Sequence, residues 1–550
     1  MTKYIGGELV VRCLEALDVK YVFGIPGAKI DSVFNALKDS SIQLILCRHE
    51  QNAAFMAGIY GRLTGKPGVV LVTSGPGVSN LTTGLLTATT EGDPIVALGG
   101  NVSRAMALKA SHQSADNVGM MKPATKSSVQ VEVVSAIPEV IANAFRVATT
   151  PRKGACFVSF PQDVLLEKTD APVIHLPTES YGLAHQTQFV EAARLIHAAK
   201  FPVLLLGEEA SQQNNVPAIR ALLEKTALPT VGTFQAAGVV SRELVSCFAG
   251  RVGLFRNQPG DQLLEKADVV ITIGFNPVEY DPEIWNSARK KTMIHVDYIS
   301  ADIRENYQPT LELLGDIHLN VVELTSLLQS DMAAQNKQHA KPFYDMHQKI
   351  VNNTHASKND LVHPLHFIQV LRELMDDDAY VACDIGSVYM WMARYFLCYE
   401  PRHLLFSNGQ QTLGVALPWA MGVNFACPGK RVVSLSGDGG FLFSAMELEN
   451  AVRQKNNFVH FVWRDGSYNM VKEQEVMKYK REAGVELGKV NLIDFANAFG
   501  AKGYELKNPA DLKSMMREAF AQKGPVLVDI PIDYSDNLSL FKETKPGAEN

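Results

Sequence analysis

The chain has 550 residues, 46% hydrophobic and 20% charged, enough apolar material for several globular cores and, by length, about three domains. A formal net charge of −6 speaks against a nucleic-acid binder, which would show a basic face. No apolar run approaches the ~20 residues that span a bilayer. Seven scattered cysteines without a C-x-x-C pair read as reduced thiols of a cytosolic protein, not as a disulfide framework or zinc site.

The opening stretch, MTKYIGGELVVRCLEALDV, is an amphipathic helix and not a secretion signal. Short apolar strands then alternate with helices. Tyr21–Gly24 runs into Ile25-Pro26-Gly27-Ala28-Lys29 and a helix through Leu37. Ile42–Leu46 runs into Arg48-His49-Glu50 and a helix over 51–64. Gly68–Val72 runs into Thr73-Ser74-Gly75-Pro76-Gly77 and another helix. Further strands are expected at Ile95–Leu98 and Cys156–Phe160. This alternation predicts a parallel, doubly wound sheet. Alone, Glu50 reads most simply as a carboxylate that complements a helix N-terminus.

The polar run Thr178–Gln188 is taken as a linker. A second α/β block follows, with strands at Val203–Gly207, Val269–Gly274 and Ile294–Asp297. None carries a G-x-G-x-x-G turn, so a dinucleotide site is not supported. A second polar run, Gln329–His339, is taken as the next linker on composition alone.

The third block opens with Pro364 as the first residue of a helix through Leu374, a place where its missing N–H is not needed. Tyr380–Cys383 is a strand ending in Asp384-Ile385-Gly386-Ser387. Ser407–Trp419, SNGQQTLGVALPW, is a marked turn. The run Val432–Val471 then reads VVSLSGDGGFLFSAMELENAVRQKNNFVHFVWRDGSYNMV. It is strand, Gly-rich turn, helix, strand, turn: a βαβ unit with both turns at the carboxyl ends of parallel strands, where open α/β sheets bind ligands. Glycines let backbone approach an anion, and Asp438 and Asp465 offer hard oxygens of the kind Mg²⁺ takes beside phosphate. A GDGG turn by itself is as well read as an ordinary strand-to-helix turn; the second carboxylate at the next strand end favours a metal-bound phosphate. Val526–Ile530 is a last strand, and the tail from Phe541 reads as mobile.

A GDG followed some two dozen residues later by Asn or Asp resembles the diphosphate and magnesium signature of thiamine-diphosphate enzymes. Most members carry Asn where this chain has Asp465, which makes the site one charge more negative. The stretch RHEQNAAFMAGIYGRLTGKPGVVLVTSGPGVSNLTTGL resembles the pyrimidine-binding domain of the acetolactate synthase and pyruvate decarboxylase group. With VFGIPGAKID, SNGQQTLGVALPW, FRNQPGD and NPVEYDP, the chain most resembles the catabolic, FAD-independent acetolactate synthases. The implied fold is α/β with three doubly wound parallel-sheet domains: pyrimidine-binding over 1–177, middle over 190–335 and diphosphate-binding over 355–535.

The implied reaction joins two pyruvates with loss of CO₂ into 2-acetolactate, through the ylide of thiamine diphosphate and a hydroxyethyl intermediate. Glu50 matches the residue that exchanges a proton with N1′ of the aminopyrimidine. Asp438, Asp465 and the backbone carbonyl of Ser467 match the Mg²⁺ ligands. Gly386, Ser387, Gln411, Leu413, Gly437, Gly439, Gly440, Tyr468 and Met470 fall on the cofactor, with Leu413 as the apolar prop where many members have Met. On composition alone Leu413 is plain core, and Met470 is either core or pocket wall. Lys29 is either a solvated lysine or a charge near a substrate carboxylate. His112-Gln113 matches a loop of the active site, and Gln474 stands where FAD-containing synthases that favour 2-ketobutyrate have Trp, which points to pyruvate as acceptor. Tyr389 stands where many relatives have His near the diphosphate, and its hydroxyl is available to a phosphate. Arg464 either offsets the second carboxylate or points to solvent. In the family each site is completed by two subunits, so the expected assembly is a homodimer or homotetramer, with no nucleic-acid or membrane partner. The rival readings are a 2-keto-acid decarboxylase, a flavin-bearing pyruvate oxidase, or a cofactor-free relative retained as a scaffold.

Overall fold

The computed structural model describes residues 3–107, 109–353 and 361–541. The tail read as mobile lies, from residue 542 on, outside the described residues.

Three six-stranded parallel sheets are flanked by helices. In the first, the spatial order is Gln43–Leu46, Tyr21–Ile25, Gly68–Val72, Ile95–Asn101, Ala155–Pro161, Ser127–Gln130. Its central strands Gly68–Val72 and Ile95–Asn101 are buried at every position, which is why they read as unbroken apolar runs and not as alternating ones. A two-residue strand, Tyr4–Ile5, pairs antiparallel with Lys168–Thr169 and ties the two ends of this domain together.

The third sheet runs Leu404–Leu405, Tyr380–Cys383, Val432–Gly437, Val459–Arg464, Val526–Pro531, Lys502–Glu505. Numbered along the chain within each sheet, the first and third share one strand order, although no sequence repeat is visible. The middle sheet differs: Phe248–Val252, Thr230–Thr233, Pro202–Leu206, Val269–Ile273, Thr292–Asp297, Leu311–Leu314. That is the 3-2-1-4-5-6 arrangement of dinucleotide-type sheets.

The first and third domains share one core. Helix Glu50–Thr64 lies against helix Ala416–Ala426, and Ala53, Met56, Trp419 and Ala420 belong to the same buried cluster. The contact needs Gly422, because a Cβ there would stand 2.2 Å from Ile59 Cγ2 and 2.8 Å from the Met56 carbonyl oxygen. The middle domain meets the third through Phe234, whose ring contacts Tyr389 and Phe406.

The helix from Pro364 to Leu374 forms as the sequence predicts, and the described residues between Thr169 and Gln186 form no helix or strand. The polar run at Gln329–His339 is not a linker. It enters the helix Met332–Val351, whose Asn336, Ala340, Phe343 and His347 are buried against the middle domain while its other faces are polar. So few inward positions are apolar that its composition matches a loop. No helix among the described residues is long and apolar enough to cross a membrane.

Candidate active site

A cleft of about 290 Å³ opens at the carboxyl edge of the third sheet. Gly437, Gly439 and Gly440 form its floor, following strand Val432–Gly437. Gly386 and Ser387 form one wall after Tyr380–Cys383; Asp465, Ser467 and Tyr468 form another after Val459–Arg464. Gln411 and Leu413 enter from the loop beyond Leu404–Leu405, and Met470 and Gln474 project from helix Asn469–Tyr479. The four loops that follow four adjacent strands thus converge on one space, as open parallel sheets dictate. Gly386 has φ +123°, a value that favours glycine, and a Cβ there would meet nothing within 4 Å.

Asp465 lines both this cleft and a second one beside it, whereas Asp438 lines the second. The Asp438 carboxylate accepts the backbone N–H of Gly439 at 3.1 Å and of Gly466 at 2.8 Å. Asp465 accepts the Ser467 hydroxyl at 2.6 Å and the Asn469 amide at 3.0 Å. Burial and then the charge of Asp465 push Asp438 up to about 6, and burial raises Asp465 as well. No Lys or Arg is among the described residues lining the cleft, and Lys472 nearby is paired with Glu482 at 3.0 Å. Two neighbouring carboxylates of this kind form a donor set suited to a hard divalent cation.

Residues outside the sequence-based expectations brace this space. Asp384 is buried and accepts the N–H groups of Ile385, Gly414 and Ala416 at 2.8, 3.0 and 3.2 Å. It fixes the loop that carries Leu413, and burial pushes it up to about 6. Asn469 accepts the Ser387 hydroxyl at 2.9 Å while donating to Asp465. The fully buried Asn537 donates to Ser387 at 2.9 Å and also to Asn469. Its own carbonyl is held by the Trp391 indole N–H at 2.7 Å. No motif announces Asp384 or Asn537; only their burial gives them weight.

Tyr389 does not face the cleft. It is fully buried, with its ring between Phe234 and Phe406 and its hydroxyl on Asn408. Helix Ser387–Tyr395 puts Ser387 on the cleft, and two residues on the helix has turned more than half a revolution. Arg464 neither offsets Asp465 nor points free to solvent; its Nε is paired with Asp529 at 2.8 Å.

Lys29, Glu50 and Gln113 lie in the first domain and do not line this cleft. Glu50 opens helix Glu50–Thr64, which is capped by the His49 ring accepting the Gln51 N–H at 3.1 Å. Glu50 is 9% exposed, and its carboxylate accepts the Asn80 amide at 2.9 Å. The turn at Gly75 approaches Gln113, whose carbonyl accepts the Ser74 hydroxyl at 2.8 Å. The Lys29 backbone passes close to Gly100, where a Cβ would stand 2.8 Å from the Lys29 carbonyl oxygen. These residues gather at the carboxyl edge of the first sheet, apart from the cleft of the third.

Three family models match the chain. The N-terminal TPP binding domain of thiamine pyrophosphate enzymes matches residues 5–120, the central domain 190–324, and the C-terminal TPP binding domain 384–530. The chain is 51% identical to the acetolactate synthase of Bacillus subtilis, over 99% of this chain and 96% of that one. It is 45% identical to the catabolic acetolactate synthase of Raoultella terrigena, over 98% and 96%. It is 29% identical to the large subunit of acetolactate synthase isozyme 1 of Escherichia coli, over 100% and 97%. Matched in all three domains and along nearly its whole length, the chain belongs to the acetolactate synthase family of thiamine pyrophosphate enzymes.

Proposed function

We propose that this protein condenses two molecules of pyruvate, with loss of CO₂, into 2-acetolactate, using thiamine diphosphate anchored by Mg²⁺. The observation that carries this reading is the glycine-floored cleft lined by Asp465, with Asp438 lining the adjoining cleft, in a chain that matches acetolactate synthases end to end. The residues present fit both groups. Gly386 leaves open space where a side chain would project, and the paired carboxylates supply hard oxygens that need a cation.

Bound thiamine diphosphate supplies a nucleophilic carbon and an electron sink for the decarboxylation. Asp438, Asp465 and the Ser467 carbonyl would hold the metal against the diphosphate. Gly386 and Ser387 would border the same phosphates. Leu413, 3.6 Å from where a Cβ on Gly440 would stand, would be the cofactor's apolar prop. Gln411, Tyr468 and Met470 would border it. Glu50 would hold and return the proton at N1′ of the aminopyrimidine. Lys29 and Gln113 would face the substrate carboxylate, and Gln474 would shape the acceptor side in favour of pyruvate.

The site would be shared by two copies of the chain. Glu50, Lys29 and Gln113 stand away from the cleft of their own chain. Apolar residues near the cleft are exposed: Phe443 by 47%, Val471 by 48% and Tyr479 by 60%. Helix Asn469–Tyr479 has no buried residue. A second copy related by a twofold axis would cover this surface and bring its own Glu50 to the cleft.

Product analysis from pyruvate with thiamine diphosphate and Mg²⁺ tests the reading. Acetolactate is the expected product; acetaldehyde, or acetyl phosphate formed with phosphate and oxygen, would replace it with the decarboxylase or oxidase reading.

A further inference from the structure

The loop that carries Gln411 and Leu413 into the cleft belongs to the third domain but is fastened largely to the first. Glu91, just beyond helix Thr82–Thr90, is fully buried. Its carboxylate accepts the backbone N–H of Gly409 at 2.8 Å and the Ser407 hydroxyl at 3.2 Å. It also accepts the side-chain amide of Gln235 from the middle domain. The Arg62 guanidinium stands 4.0 Å from it and donates to the Phe406 carbonyl at 3.3 Å. Along the same seam the hydroxyls of Thr87 and Thr412 meet at 2.7 Å, and Gln410 donates to Thr90 at 3.0 Å. Gly409 is glycine because a Cβ there would stand 2.3 Å from Thr90 Cγ2.

On its far side the loop is held by Asp384 through Gly414 and Ala416. Gln411 and Leu413 sit between these two anchorages. Gln411 has φ +49°, a left-handed conformation unfavourable for a residue with a Cβ, which persists only where the surroundings impose it. A buried carboxylate is a costly way to fasten a loop for stability alone, since an apolar contact of similar volume often serves as well. What a carboxylate adds is several acceptor sites at fixed places, here used at once by the backbone, a hydroxyl and an amide of two other domains.

We propose that Glu91 is a positioning residue for the cofactor: by holding Ser407 and Gly409 it sets where Gln411 and Leu413 meet the bound thiamine. The role rests on thiamine diphosphate occupying the cleft of the third domain. Glu91→Gln keeps the volume but turns one acceptor into an N–H₂ group facing donors, so the loop loses at least one tether. The test measures the dissociation constant of thiamine diphosphate, at saturating Mg²⁺, by calorimetry on full-length protein stripped of cofactor. The melting temperature without cofactor and kcat at saturating cofactor are measured alongside.

Glu91→Gln should bind the cofactor at least tenfold more weakly and still show a lower kcat at saturation. Ser407→Ala should lie between wild type and Glu91→Gln, and the double variant should be no worse than Glu91→Gln. A variant that melts lower yet binds cofactor as wild type does would show a structural role only and overturn the proposal. If Glu91→Gln does not fold, Ser407→Ala and Thr412→Val probe the same seam from the loop side, and wild-type affinity in both would overturn it. Failure of the wild-type protein itself to bind thiamine diphosphate would instead refute the proposed function, and this role with it.

Discussion

Gly466 donates its backbone N–H to the Asp438 carboxylate at 2.8 Å, so the turns after two neighbouring strands are held together by the first of the two proposed metal ligands. Asp438→Ala removes a ligand and this tie in one step. Changing a residue that merely supports a metal ligand typically weakens metal binding 10–100-fold. Loss of the ligand itself should therefore weaken Mg²⁺-dependent cofactor binding by more than ~100-fold. Calorimetry with thiamine diphosphate and Mg²⁺ reads this directly, and wild-type affinity in Asp438→Ala would remove Asp438 from the metal site.

Glu50→Gln should bind cofactor but turn over ~10²–10⁴-fold more slowly, the usual effect of losing one acid–base group. The shared-site arrangement adds a complementation test. Glu50→Gln and Asp438→Ala chains should each be severely impaired, but a mixed dimer would hold one doubly damaged site and one intact site. Mixing them under conditions that let subunits exchange should restore activity. No recovery, with exchange verified by differently tagged chains, would mean that each chain builds its own site.

Gln474 projects into the cleft from helix Asn469–Tyr479. With pyruvate and 2-ketobutyrate in competition, the wild-type product should be mainly acetolactate. Gln474→Trp should raise the acetohydroxybutyrate fraction several-fold by giving the longer acceptor an apolar surface; discrimination over one methylene is worth about 1–3 kcal/mol. An excess of acetohydroxybutyrate from the wild type would refute this role.

The middle domain should make the cofactor-free protein less stable as pH rises. Burial pushes Glu279 and Asp297 up to about 7 and raises Glu208 well above the usual carboxylate range. A folded value above the unfolded one means that the stabilisation is fully present below about pH 4, where these groups are protonated in both states. It is lost as pH rises through about 7, when the folded protein must carry buried charges. The linked change is on the order of 3 kcal/mol for Glu279. The melting temperature should fall between about pH 5 and pH 8, and Glu279→Gln should flatten that slope. An identical slope in the variant would show that Glu279 is not its source.

The sheets and the cleft floor were legible because their signals are local. An apolar run such as Val432–Leu435 needs no context to be read: a strand of that composition must be buried on both faces, and the glycines that follow it permit only a few backbone paths. The helix Met332–Val351 was not legible, because its buried positions, Asn336, Ala340, Phe343, His347 and Val351, mix polar with apolar residues and make no continuous apolar stripe. Tyr389 was misplaced because alignment by position ignores the phase of a helix. Asp384, Glu91 and Asn537 act only through tertiary partners, Asp384 and Glu91 by gripping the Ser407–Ala416 segment and Asn537 through Ser387 and Asn469, and nothing near them in sequence marks a buried polar group.

The core shared by helices Glu50–Thr64 and Ala416–Ala426 bears on how the chain is made. The first domain can close early, since Tyr4–Ile5 finds Lys168–Thr169 as soon as that segment leaves the ribosome. The apolar face around Ala53 and Met56 must then wait for Trp419 and Ala420. At ~5–20 residues per second that interval is on the order of half a minute, during which a nearly finished domain displays a surface meant for a partner not yet translated. Slower synthesis or a truncated message would prolong that display, so holding chaperones should be needed at this helix before any second copy is met.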